Sequence, residues 1–110
     1  MYHVVFYESE RGDSPVEDFL QGLDPHTQAK AKALIGLLEE HGPQLKRPYA
    51  DKLEGKIYEI RPKQARVLYF FFHGRQIVLL HGFIKKTWEV PKSEIRTATN
   101  RMEDWIARHR

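Results

Sequence analysis

Three short apolar runs in the second half of the chain limit the folds it can adopt more than any other feature. They cover residues 57–61, 66–72 and 76–84, and turn signals of four and two residues separate them. Connections this short join antiparallel strands, because a parallel crossover needs a dozen or more residues. The sequence therefore predicts an antiparallel meander of three strands.

Helix signals stand on both sides of this meander. After a strand-like run at residues 2–7, Pro15 and Pro25 each follow a capping residue and open a stretch with apolar residues at helical spacing. A Gly-Pro pair ends the second helix, and residues 43–55 are predicted as a connecting loop. Pro91 opens a third helix near the end of the chain.

The resulting order, β-α-α-β-β-β-α, is typical of an α+β fold. We expect a domain of two layers, in which the helical hairpin and the last helix lie on one side of an antiparallel sheet. The length of 110 residues is that of one domain, so we expect a single domain over residues 1–110.

Side-chain alternation along the strands sorts the residues of the meander onto two faces. A two-residue turn at Gly74-Arg75 sets this register, together with a four-residue loop at residues 62–65. The predicted core face is apolar and holds Tyr58, Ile60, Val67, Tyr69, Phe71, Val78, Leu80 and Ile84. The other face is predicted to be open and holds Glu59, Arg61, Arg66, His81 and Lys85 beside Leu68, Phe70, Leu79 and Phe83.

Arg61 and Arg66 are predicted to lie directly opposite each other on neighbouring strands. Like charges in that position are destabilising unless an anion lies between them. One source of the anion is internal, either Glu59, the C-terminal carboxylate or another acid. The other is a bound phosphate, whose oxygens match a guanidinium group in bidentate fashion. The sequence alone does not decide between an internal acid and a bound phosphate.

Two further side chains are candidates for chemistry near these arginines. His81 is the one histidine in the middle of a predicted strand, and a structural role is the more common one for such a residue. Trp88 follows the last strand and could stack on a base, although the favoured interpretation is a half-buried anchor for the third helix. The histidines show no metal-ligand spacing and the chain has no cysteine, so we predict no metal site.

Charge is unevenly distributed along the chain. Residues 46–86 carry ten basic and three acidic groups, whereas residues 1–45 carry three basic and eight acidic groups. Such asymmetry fits either a surface for a polyanion or ordinary solvated charge. The longest uncharged apolar stretch is far below the roughly 20 residues of a membrane span, and the start of the chain does not resemble a signal peptide. We therefore expect a cytoplasmic protein without membrane contact.

Several segments together resemble the RelE/ParE superfamily of type II toxins, in particular its HigB-like, phage-related branch. They are Leu-Glu-Gly-Lys-Ile-Tyr-Glu-Ile-Arg ending at Arg61, Ala-Arg-Val-Leu-Tyr-Phe around Arg66, and His-Gly-Phe-Ile-Lys-Lys-Thr beginning at His81. Pro91 and the pair Glu94-Ile95 follow in the expected order. The similarity extends over essentially the whole chain.

This resemblance implies a RelE-like fold and a toxin that inhibits translation as a ribosome-dependent mRNA endoribonuclease without a metal or other cofactor. The implied partners are the ribosome, mRNA and a helix-turn-helix antitoxin. The residues carried over are Arg61, Arg66 and Lys85 with its neighbour Lys86. Arg61, Arg66 and Lys85 are assigned to catalysis, and the candidate for proton transfer is His81 or a lysine of this cluster. The candidate RNA-binding residues are Lys56, Lys63, Lys86 and Trp88.

Two other functions fit the same fold. One is a ParE-like inhibitor of DNA gyrase, and the other is a non-catalytic RNA-binding regulatory module. The basic cluster favours the nuclease, whereas the lack of an assigned general base favours the other two.

Overall fold

The computed structural model describes residues 1–110, which form five strands and three α-helices. The strands are β1 (His3–Phe6), β2 (Ala50–Glu54), β3 (Ile57–Ile60), β4 (Ala65–Phe72) and β5 (Gln76–Ile84). The helices are α1 (Pro15–Gln21), α2 (Pro25–His41) and α3 (Lys92–Arg108), and 3₁₀ turns occupy Gly42–Gln44 and His73–Arg75. The α+β class, the antiparallel meander β3-β4-β5 and the helix starts at two prolines are confirmed.

The sheet is larger and more mixed than predicted. Its strand order is β1-β5-β4-β3-β2. The predicted loop at residues 43–55 contains β2, which pairs antiparallel with β3. Its five residues include no β-branched or aromatic side chain, so they carry no strand signal. β1 pairs parallel with β5, a contact between chain segments too distant for local patterns to predict.

The helices lie on both faces of the sheet, so the prediction of two layers with every helix on one side is wrong. On one face, α1 and α2 cover a buried cluster of Val16, Leu34, Leu38, Ala50, Ile60, Val67, Tyr69, Ile77 and Leu79. On the other, α3 covers a buried cluster of Tyr7, Ile57, Leu68, Phe70, Val78, Leu80, Phe83, Ala98 and Trp105. The physical reason is visible in β4, which is apolar on both faces and must be covered on both.

A bulge in β5 corrects the predicted register in part. The turn after β4 has three residues, with Gly74 and Arg75 at positive φ, so Tyr69 pairs with Leu79. The register then shifts at Leu80, which restores the predicted pair of Leu68 with His81. As a result Val78 and Leu80 face α3 and Leu79 faces the helical hairpin, each opposite to its predicted face.

Gly82 of β5 allows α1 to pack closely on the sheet. A Cβ atom at this position would lie 2.8 Å from Cε2 and Cγ of Phe19, against an ordinary carbon–carbon contact of roughly 3.5–4.0 Å. Glycine is therefore required here by space rather than by backbone conformation.

Polar contacts also hold α3 against the sheet. The Tyr7 hydroxyl donates to Asp104 Oδ2 at 2.6 Å, and Arg108 Nη2 donates to the same oxygen at 2.8 Å. The hydrogen bond from Arg108, followed by that from Tyr7, holds the pKa of the Asp104 carboxyl below its ordinary value. None of the three helices has the length and apolar character needed to cross a membrane.

Candidate functional site

The end of β3 and the start of β4 bring Arg61 and Arg66 together, as predicted. Ile60 of β3 pairs with Val67 of β4, and one position further along this register Arg61 and Arg66 lie across from each other. Glu59 lies between them, with only 2% of its surface exposed. Arg61 Nε donates to Glu59 Oε2 at 2.9 Å, and Arg66 Nε lies 3.7 Å from Glu59 Oε1. An internal acid therefore lies between the like charges, which is one of the two sources that the sequence left open.

Arg66 is held by hydrogen bonds to the backbone and does not lie on an open face. Its Nη1 donates to the carbonyl of Lys63 at 2.6 Å and to that of Ala65 at 2.8 Å. Only 14% of its side chain is exposed. Burial lowers the pKa of the Arg66 guanidinium, and the negative charge of Glu59 acts in the opposite direction. The prediction of an open charged face is wrong because α3 covers much of it.

Asp51 of β2 is a site residue that the sequence reasoning missed. Its Oδ2 lies 2.7 Å from Arg47 Nη2 and 3.4 Å from Arg61 Nη2. The hydrogen bond from Arg47 is the main reason that the pKa of the Asp51 carboxyl is lowered. No local signal in the sequence indicates Asp51, because the residues of β2 do not show a strand pattern.

Two open grooves meet beside the arginines. The smaller one has a volume of about 540 Å³ and is lined by Gln64, Arg66, Lys85, Lys86, Thr87 and Trp88. The larger one, of about 800 Å³, includes Glu59, Arg61 and Lys85 among its lining residues. Lys85, Thr87 and Trp88 line both grooves and so form a ridge between them. Basic side chains and one indole ring therefore border each groove. The larger groove also holds four acids, whereas the smaller holds none.

Trp88 is 94% exposed, which contradicts the favoured interpretation of a half-buried anchor. Val90 and Ile95 supply the apolar contacts at this end of α3 instead: Val90 packs on the cluster beneath the helix, and Ile95 is buried. The indole ring is therefore free to stack on a ligand.

The candidate lysines are not all near this site. Lys86 is exposed and lines the smaller groove, and Lys63 is exposed in the turn whose carbonyl holds Arg66. Lys56 lies at the far end of β3, where it lines a separate cavity with Phe72 and His73. The structure does not bring Lys56 to the arginines.

His81 is engaged with α3 rather than with the arginines. Its Nε2 lies 2.6 Å from Glu94 Oε1, and its Nδ1 lies 3.3 Å from Arg101 Nη1. A guanidinium group only donates, so Nδ1 accepts and the proton on Nε2 is donated to Glu94. The side chain is 15% exposed and lines neither groove. This geometry suits the attachment of α3, and a part in proton transfer stays a prediction.

Clusters of three or more His, Cys, Asp or Glu side chains that could hold a metal ion do not occur in the structure. The predicted independence of a metal concerns the reaction and stays a prediction.

Solved structures of similar architecture identify the fold. The chain matches one in the archaeal RelE–RelB complex of Pyrococcus horikoshii at a TM-score of 0.58, with 22% identity over 76% of this chain and 94% of that one. It matches the toxin–antitoxin complex RelBE2 of Mycobacterium tuberculosis at 0.54, with 19% identity over 76% and 98% of the two chains. A match to the YoeB–YefM complex of Staphylococcus aureus has a TM-score of 0.54, with 18% identity over 80% and 99%. The fold is RelE-like.

Sequence comparison then identifies the family. The model described as "Phage derived protein Gp49-like (DUF891)" matches residues 18–103. A Mycobacterium tuberculosis protein named "Putative toxin HigB3" is 34% identical over 84% of this chain and 88% of its own length. The chain therefore belongs to the Gp49-like family, in the HigB-like branch of the RelE/ParE superfamily of type II toxins.

Proposed function

We propose that this toxin inhibits translation by cutting mRNA on the ribosome, without a metal ion. The observation that carries the proposal is the pair Arg61 and Arg66 beside two grooves that share Lys85 and the exposed Trp88. The smaller groove, which Arg66 lines, is bordered by basic side chains and by no acid. The site has the cations needed for a phosphodiester and an aromatic ring for a neighbouring base.

The reaction that suits these groups is attack of a ribose 2′-hydroxyl on the adjacent phosphate. The 2′-oxygen bonds to phosphorus, the bond to the 5′-oxygen breaks, and a proton passes from the nucleophile to the leaving group in the course of the reaction. Negative charge builds on the phosphate oxygens in between, and positioned cations stabilise it. Arg66 and Lys85, which line the same groove, are assigned this role.

In this proposal the ribosome orients the message for the reaction. Neither groove contains a histidine, and both are open to solvent. A site that supplies charge but little enclosure gains most from a partner that holds the 2′-hydroxyl in line with the phosphate.

Primer extension on a translated message tests the nuclease directly. We expect cuts within reading frames when ribosomes, message and toxin are all present, and none when ribosomes are omitted. Intact messages beside plasmid DNA that becomes broken in the presence of gyrase would replace the proposal with the gyrase inhibitor. Binding of RNA without any cleavage, with or without ribosomes, would favour the regulatory module.

Trp88 offers a matched pair of variants for the base contact. Stacking of a base on an aromatic ring contributes about 1–3 kcal/mol, so Trp88→Ala should weaken binding of a short single-stranded RNA at least fivefold. Trp88→Phe keeps a ring and should stay within about threefold of the natural protein. Because this side chain is almost fully exposed, neither change should lower the melting temperature. Equal RNA affinity for both variants would remove the stacking role.

The proposed protein partner is a helix-turn-helix antitoxin that covers the smaller, basic groove. The solved complexes named above contain RelE or YoeB together with RelB or YefM. Acidic groups of an antitoxin would be steered by the positive charge of this groove, so association should slow as salt is raised. Stopped-flow measurements at several salt concentrations test this, and a rate indifferent to salt would place the antitoxin elsewhere on the toxin.

A further inference from the structure

Glu59 is the most deeply buried ionisable side chain of the site, and it contacts both arginines. Strand alternation puts Glu59 and Arg61 on the same face of β3, and the pairing of Glu59 with Leu68 makes Arg66 its diagonal neighbour. One carboxylate therefore lies between two guanidinium groups that come from different strands.

Each of the two arginines has one Nη group that makes no hydrogen bond within the protein. Arg61 donates Nε to Glu59 and Nη2 to Asp51, whereas Nη1 makes no hydrogen bond. Arg66 uses Nη1 for two backbone carbonyls and directs Nε toward Glu59, whereas Nη2 makes none. Neither unused group is among the buried unpaired atoms, so both keep some exposure to solvent.

Charge at the site favours an anion even with Glu59 present. Arg61, Arg66 and Lys85 outnumber this one carboxylate, and Asp51 is shared with Arg47. Glu59 Oε1 and Arg66 Nε are both buried without a hydrogen-bond partner. Arg66 is therefore held near Glu59 by charge and by the backbone carbonyls, while the outer edge of its guanidinium stays available.

We propose that Glu59 is a positioning residue that sets the spacing of Arg61 and Arg66, which line different grooves, so that their free Nη groups bind a single phosphate of the RNA where the two grooves meet. The inference rests on the proposed function for the identity of that phosphate. It assigns Glu59 no contact with the substrate. Its effect is exerted through the two guanidinium groups.

Glu59→Gln separates this role from a merely structural one. The amide has the shape of the carboxylate but no charge, so the site becomes more positive while the two arginines lose their common counter-charge. RNA binding should then be unchanged or tighter, with a salt dependence steeper by up to about 0.7 in log–log slope, the value for one more phosphate contact on a single strand. The cleavage rate on the ribosome should fall by about 10- to 100-fold, because misplaced groups lose most of their effect on the transition state.

Glu103→Gln is the matched control. Glu103 is an exposed acid of α3 that lines neither groove and is not an ion-pair partner of either arginine. Its replacement removes the same charge from the protein and should leave the cleavage rate within about twofold of the natural protein.

The experiment combines single-turnover cleavage on programmed ribosomes with fluorescence anisotropy of a short single-stranded RNA at several salt concentrations. Reduced cleavage with retained or increased RNA affinity is expected for Glu59→Gln. Cleavage and affinity that fall in proportion, or that both stay unchanged, would overturn the inference. If this variant does not fold, Glu59→Asp keeps the charge but cannot reach both arginines. It should lose cleavage with an unchanged salt slope, and normal cleavage by this variant would also overturn the inference.

Failure of the proposed function gives a different result. In that case the natural protein does not cut messages on ribosomes, whereas RNA affinity and its salt dependence can still be compared between the natural protein and Glu59→Gln. A natural protein that cuts normally, beside a Glu59→Gln variant that cuts equally well, rejects the role of Glu59 alone.

Discussion

Replacement of Arg66 by alanine should remove activity without unfolding the protein. The change deletes two hydrogen bonds from a charged donor to backbone carbonyls and takes one of the two neighbouring cations away from buried Glu59. Loss of a partner from a buried charge pair costs about 3–5 kcal/mol when nothing else compensates. Glu59 keeps Arg61, and the turn carbonyls can reach water, so we expect a loss of about 2–4 kcal/mol in the free energy of unfolding.

This loss leaves most molecules folded. Domains of this kind have a free energy of unfolding of about 5–15 kcal/mol, so even a starting value near 5 and a loss near 3 would leave about 2 kcal/mol, or roughly 97% folded protein. Unfolding then accounts for almost none of a large activity change. Removal of one group that stabilises transition-state charge costs about 100- to 1000-fold in rate, and this is the loss expected for ribosome-dependent cleavage.

Arg66→Lys is the matched variant. It keeps a positive charge near Glu59 but cannot form the planar fork, so we expect about 1 kcal/mol of destabilisation and about tenfold slower cleavage. Urea denaturation followed by circular dichroism gives the stability of each variant, and primer extension gives the cleavage rate at a temperature where each is folded. A folded Arg66→Ala protein that cuts within about threefold of the natural rate would refute this reasoning.

Three further predictions concern stability. Gly82→Ala should lower the free energy of unfolding by about 1–3 kcal/mol, because the added methyl group overlaps the Phe19 ring. Urea denaturation should show a smaller loss when the same change is made in a Phe19→Ala protein. Gly36→Ala should instead raise the free energy of unfolding by about 1 kcal/mol, because Gly36 lies inside α2 and a Cβ atom there would meet no neighbour. An equal loss of stability for Gly36→Ala and Gly82→Ala would contradict the packing argument. The hydrogen bond from Arg108 lowers the pKa of the Asp104 carboxyl below its ordinary value of 3.8. The stability that this carboxylate contributes is therefore present above its unfolded pKa and is lost as the pH falls through its folded pKa. Asp104→Asn should flatten the acid side of a plot of stability against pH, and an unchanged slope would show that other carboxylates dominate there.

Local patterns were enough to predict much of the site. Arg61 and Arg66 are separated by one short turn, so the register that places them together depends on a few neighbouring residues. The prolines that open α1 and α2 and the alternation of β3 are signals of the same local kind. The predicted pair of Leu68 with His81 is also present, but for a different reason, because the bulge at Leu80 offsets the wrongly predicted length of the turn.

Tertiary structure alone decided the rest. The apolar residues of β4 are compatible with a sheet covered on one face or on both, and only the packing of α3 buries Leu68 and Phe70. The same packing leaves Trp88 in solvent, because Val90 and Ile95 occupy the apolar contacts that the tryptophan was predicted to make.

By itself, the sequence determined the meander, the two arginines that face each other and the excess of positive charge around them, because each depends on residues close together in the chain. Only the tertiary structure decided that Glu59 is the anion between these arginines and that Asp51 supports Arg61 from β2. Both depend on burial and on the pairing of a strand without a local signal. The free energy that selects such contacts comes from the whole folded chain, and no single segment encodes it.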